Sequence, residues 1–199
     1  MRICVFLSAT NTDESYASSV RELGNLISGH GHDLVWGGSE AGLMQILADA
    51  VQESGGRLIG VSVESLRWVL RQKLNEGDEV IVTADLAARK ALLLERSDAV
   101  LVLPGGTGTL DEATDVIELK RHRVHDKPVV IINIGGFYDG LQQQLTRMEE
   151  DGFFDLPVAQ LVRFAPDPAT AMALIEATTA DHVGANGTAP HAEPSCPRG

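Results

Sequence analysis

Hydropathy along the chain alternates between two periods. Short runs are apolar at almost every position: "ICVFLS" (3–8), "DLVWGG" (33–38), "RLIGVSV" (57–63), "EVIVTA" (79–84), "AVLVLPG" (99–105), "PVVIINI" (128–134) and the weaker "LVRFA" (161–165). Between them lie segments whose apolar residues return at helical spacing, among them "SYASSVRELGNLIS", "GLMQILADAVQES", "DLAARKALLLERS", "LDEATDVIELKRH", "GLQQQLTRMEED" and "PATAMALIEATTA". Strands that are apolar throughout need cover on both faces, and regular alternation with helices calls for crossover connections. The pattern predicts an α/β fold, a Rossmann-like sandwich with a mostly parallel central sheet and helices on both faces. Beyond the last helical segment, "DHVGANGTAPHAEPSCPRG" has little to bury. Residues 1–180 are therefore read as one domain and 181–199 as a disordered tail.

Composition narrows the function classes. With 199 residues and 44% hydrophobic content the chain is large enough for a real core, and its formal charge of -12 argues against nucleic-acid or anionic-membrane partners. Cys4 and Cys196 are the two cysteines, too few for a disulfide framework or a cysteine-rich metal site. No apolar run approaches the roughly 20 residues of a membrane helix, and "MRICVFLSA" turns polar too soon for a secretory signal. A cytoplasmic protein is expected.

Chemistry concentrates in two glycine-rich loops. In such sheets ligands sit beyond the carboxyl ends of the strands, where helix N-termini direct N–H groups outward. "WGGSEAGLM" places Gly37 and Gly38 after a strand and Gly42 at a helix start, and "PGGTGTLDE" supplies Gly105, Gly106, Thr107, Gly108 and Thr109. Both could cradle a phosphate. Neither is a Walker loop, and the dinucleotide spacing fails because Asp111 stands where its last glycine belongs. Glu112 has two readings: with Thr109 it forms a capping box, or it stabilises positive charge that develops beside a bound phosphate. Hydrolysis of the N-glycosidic bond of a nucleoside 5'-monophosphate builds such charge, because the ribose becomes oxocarbenium-like as the base leaves. In "DLAARKALL", Asp85 is a candidate N-cap, and Arg89 and Lys90 are cations on the first turns of a helix, open either to a phosphate or to solvent. His122 and His125 have i, i+3 spacing but no completing ligands; they suit a cationic helix end, and no metal is assigned. Lysine decarboxylation would need a pyridoxal phosphate apparatus that the surroundings of Lys90 do not suggest; no cofactor is expected.

The loop "PGGTGTLDE" matches PGGxGTxxE, and on it the chain resembles the LOG (Lonely Guy) family of cytokinin riboside 5'-monophosphate phosphoribohydrolases, often mislabelled lysine decarboxylases. "CVFLSATNTDESY", "GGSEAGLM", "AARKALLLERSDAVLVLPGG" and "HDKPVVIINIGGFYDGL" are similar to family segments in order and spacing, so that the resemblance covers about residues 2–155. It implies that Arg89 and Glu112 are catalytic, that Lys90 is the adjacent basic position, and that Gly105 to Thr109 bind phosphate. The chain departs from the family pattern at Ser8-Ala9, Ser39, Leu86-Ala87 and Leu119, positions that would surround the base, and 64–78 fits it poorly. A purine or cytokinin nucleotide is the expected substrate; the alternatives are another nucleobase, or a non-catalytic nucleotide or cofactor carrier of the same fold. The family resemblance also implies a homodimer. Apolar residues on more than one side of "LAARKALLLER" and "LDEATDVIELKRH" place its interface around Leu92 and Ile117.

Overall fold

Each of the seven apolar runs becomes a strand of one sheet. The computed structural model describes residues 1–10 and 13–185. The elements run β1 (Arg2–Phe6), α1 (Glu14–Gly29), β2 (Asp33–Trp36), α2 (Gly42–Glu53), β3 (Leu58–Val63), β4 (Glu79–Thr83), α3 (Leu86–Glu95) and β5 (Ala99–Val102). They continue with α4 (Thr107–Arg121), β6 (Val129–Ile132), α5 (Asp139–Glu150), α6 (Val158–Leu161), β7 (Arg163–Ala165) and α7 (Pro168–Ala185). The spatial order is β4-β3-β2-β1-β5-β6-β7, with every pairing parallel. Winding runs outward from β1 to β4 and then restarts on the other side at β5, so the switch point lies between β1 and β5. Phe6 pairs with Val102 there, which brings the loops after both strands to the same carboxyl edge.

Period-two alternation divides the core between two layers. Ile3, Val5, Leu34, Trp36, Leu101, Val130 and Ile132 face α1, α2 and α7, against Val20, Leu23, Leu47, Val51, Met172 and Ile175. Cys4, Phe6, Val35, Ile59, Val61, Val100, Val102 and Ile131 face the opposite layer, against Leu93, Leu94, Ala113, Val116, Ile117 and Leu145. Strands buried on both sides explain the near-continuous apolar runs.

Four departures from the sequence reading have local causes. Helix α4 begins at Thr107 rather than Leu110, because Gly106 takes an extended conformation and serves as N-cap. The short α6 (Val158–Leu161) carries too few residues for a periodic signal. Residues 64–78 form a 3-10 turn (Glu64–Val69) and then a return in which Leu70 bridges Ser39 and the Arg71 guanidinium is buried, donating to Asp49 and Gln52. Helix α7 runs five residues into the expected tail; the rest of that tail, 186–199, lies outside the described residues.

Candidate active site

At the carboxyl edge the end of β4 leads into α3 through Asp85, whose carboxylate accepts the Ala88 N–H at 2.8 Å. This cap fixes the helix start. One turn further, Arg89 turns inward and is 8% exposed. Its Nε donates to the Val61 carbonyl near the end of β3 at 2.9 Å, and its Nη1 donates to Glu112 Oε1 on α4 at 2.6 Å. Its Nη2 lies against the Cα of Gly37, where a Cβ would collide with it and with the Met44 side chain. Three strand and helix ends thus hold one guanidinium, and only some of its five N–H groups are used among the described residues.

Glu112 is 7% exposed. Its burial pushes its carboxyl above the ordinary 4.5, against the opposing pull of Arg89, and neighbouring Asp111 adds to the rise. Glu112 is not part of a capping box: Thr109 sits inside α4 and no side chain caps that helix. The carboxylate is instead committed to Arg89.

The start of α4 is the second half of the site. Leu103 and Pro104 are buried, Gly106, Thr107 and Gly108 are exposed, and Thr109 is buried under Gly105, where a Cβ would overlap its hydroxyl. First-turn N–H groups have no intrahelical acceptor, and no side chain among the described residues caps them, so they can meet an anion. At about 1.5 Å per residue, Glu112 lies about 7.5 Å along the axis from Thr107. Tyr138 braces this loop from beneath: its hydroxyl donates to the Leu103 carbonyl at 2.9 Å, and burial pushes its pKa up to about 12 against a hydrogen bond from the Gly105 backbone. The sequence reading missed Tyr138, whose partner is 35 residues away; its one local signal is the "GGFYDG" turn.

The remaining predicted residues separate into roles. Gly38 (φ 73°) packs on Gly60 and Ser62 of β3, and Gly42 (φ 55°) passes so close under the Ala9 backbone that a side chain has no room. Lys90 does not join Arg89 and Glu112 directly. Its ammonium ties α3 to α4 through Asp111 and Asp115, at 3.2 and 3.4 Å. His122 meets Glu118 and His125 meets the Val116 carbonyl, so these two rings do not converge. Ile117 is buried inside the monomer and Leu92 is partly buried against the same cluster, whereas Leu86 and Leu110 beside the site are 58% and 40% exposed. A separate cleft of about 740 Å³, lined by Lys120, Arg123, His125 and Arg163, contains none of the predicted site residues.

Comparison with known proteins places the chain among relatives. A family profile described as "Possible lysine decarboxylase" matches residues 44–175. Two Arabidopsis thaliana proteins named cytokinin riboside 5'-monophosphate phosphoribohydrolase, LOG3 and LOG4, are 36% and 38% identical over 167 residues, spanning 83% of this chain and 77% of theirs. Among solved structures, the molybdenum cofactor carrier protein of Chlamydomonas reinhardtii aligns with a TM-score of 0.64 at 25% identity, over 90% of this chain and 98% of that one. A molybdenum cofactor binding protein from Rippkaea orientalis shares the fold, with a TM-score of 0.66 at 22% identity over 89% of this chain and 96% of that one.

Proposed function

The chain belongs to the family described as possible lysine decarboxylase, whose curated relatives are the LOG phosphoribohydrolases, and from that premise we propose that it hydrolyses the N-glycosidic bond of a purine-type ribonucleoside 5'-monophosphate. The products are the free base and ribose 5-phosphate. The observation that carries the reading is the buried 2.6 Å Arg89–Glu112 pair beside the uncapped start of α4. The 5'-phosphate docks on the N–H groups of Gly106 to Thr109, with the loop after β2 (Gly37, Gly38, Gly42) shaping the opposite wall. This leaves the ribose between the phosphate and Glu112. As the C1'–N bond breaks, its electron pair leaves with the base; the Glu112 carboxylate stabilises the oxocarbenium-like ribose and takes a proton from the attacking water. Arg89 orients that carboxylate and offers its remaining N–H groups to ribose or phosphate oxygens. No cofactor enters. The decarboxylase description fits the site poorly: burial works against the Lys90 charge, but Asp111 and Asp115 outweigh it and hold the ammonium above its ordinary pKa, whereas Schiff-base chemistry needs a neutral amine.

A second reading, a non-catalytic nucleotide or cofactor carrier, draws on the likeness to the Chlamydomonas carrier. Incubation with isopentenyladenosine monophosphate, AMP, CMP and the matching nucleosides separates the two. Release of free base from a monophosphate, and not from its nucleoside, supports the hydrolase; tight binding with no base released from any nucleotide supports the carrier. In the hydrolase, Glu112→Gln lowers turnover by about 10²–10⁴-fold with nucleotide binding retained. A homodimer and a cytoplasmic setting belong to the same proposal. The exposed Leu86 and Leu110 support the dimer, and Cys4, a free thiol buried in the sheet, suits a reducing compartment.

A further inference from the structure

At the edge of the sheet opposite Arg89 and Glu112, three side chains from distant segments converge on one spot. His30 is the residue that ends α1, His32 precedes β2, and Glu176 lies on α7. His30 Nδ1 is 2.7 Å and His32 Nε2 is 2.9 Å from the same oxygen, Glu176 Oε1. One donor atom from each residue lies within 4.8 Å of the other two. Gly31, at φ 72°, makes the turn that brings both rings toward α7, with centroids 6.2 Å apart and planes at 70°. The His32 side chain is 12% exposed, Glu176 34% and His30 42%, so the spot is sheltered on one side and open to water on the other.

We propose that His30, His32 and Glu176 form a binding site for a divalent first-row cation of the Zn²⁺ class, with water completing the coordination. Two imidazole nitrogens and one carboxylate oxygen are a donor set that such ions favour over Mg²⁺ or Ca²⁺. A single ion pair would need only one histidine; two rings aimed at one oxygen make a convergent set. Bonds of about 2.0–2.1 Å in a tetrahedral arrangement put ligand atoms about 3.3 Å apart, so each nitrogen–oxygen distance opens by about 0.5 Å and the rings draw together to centroids about 5 Å apart. Those are side-chain adjustments. The ion would pin α7 to the turn between α1 and β2, a structural role remote from the Arg89–Glu112 pair and independent of the function proposed for it.

The test uses the full chain without an affinity tag, stripped with a chelator and titrated calorimetrically with Zn²⁺. One equivalent is expected to bind with micromolar or tighter affinity and to raise Tm, and Co²⁺ is expected to give the visible absorption of a tetrahedral site. Glu176→Gln and His30→Ala each weaken binding by tenfold or more; His30 is the more exposed of the two and secures the comparison if Glu176→Gln folds poorly. Absence of saturable binding by the unaltered chain, or undiminished binding by His30→Ala, would overturn the site and leave an ion pair between two helices.

Discussion

Arg89 is held from three sides, and each contact converts into a test. Replacing Gly37 by alanine puts a methyl group where Arg89 Nη2 and Met44 now lie, so the guanidinium must shift. Displacement of a positioning group by about 1 Å costs about 10²-fold in rate. Gly37→Ala is expected to lose turnover on that order while still folding, as read by kcat beside a circular dichroism melt. Glu112 supplies a second test. Its carboxyl is raised above 4.5 by burial, yet the proposed chemistry needs the anion, so the acid limb of kcat/KM should lie above pH 4.5. A limb at or below that value would dissociate Glu112 from the rate. Linkage has the opposite sign: the folded chain holds this proton more tightly than the unfolded one, so the group favours folding below pH 4.5 and that contribution is lost as pH rises through the folded value. Whether Glu112 caps a helix or serves a site was not legible in sequence, because T-x-x-E spacing suits both; the helix start at Thr107 removes the capping box. Tyr138 was illegible for another reason, since the carbonyl its hydroxyl meets lies 35 residues away, after the neighbouring strand.

Elements were more legible than their ends. The strands follow from unbroken β-branched runs, whose cause is burial on both faces, and the long helices follow from apolar periodicity. The boundary errors fall where backbone geometry rather than side-chain chemistry sets the limit, as at Gly106, or where a buried polar network replaces apolar packing, as in 70–78. There Arg71 reaches Asp49 and Gln52, and Gln52 in turn donates to Asp78, contacts that hydropathy cannot signal. Capping, by contrast, was readable: Asp85 was identified as the N-cap of α3 and accepts the Ala88 N–H. Asp85→Ala is expected to lose about 1 kcal/mol of stability in urea unfolding. Because α3 carries Arg89, the same change should lower kcat more than it raises KM. An unchanged unfolding midpoint would show that tertiary packing alone sets the helix start.

For the whole molecule, the carboxyl edge brings the candidate site and uncovered apolar surface together. The sequence showed an excess of apolar residues on α3 and α4 but not which of them the monomer would use. Ile117 and, in part, Leu92 are taken up by the layer under the sheet, so the expected centre of the interface moves. Leu86 opens α3 and Leu110 lies on the first turn of α4; at 58% and 40% exposed they stand on the same elements as Arg89 and Glu112. Apolar groups left in water beside the candidate site favour cover by a second copy, which would also narrow the opening above the Arg89–Glu112 pair. The chain is therefore expected to run as a dimer in light scattering at micromolar concentration. Leu86→Glu, which leaves the core untouched and suits a helix N-terminus, should shift the mass to that of a monomer. A monomeric mass for the unaltered chain, with full turnover, would show that one copy closes its own site.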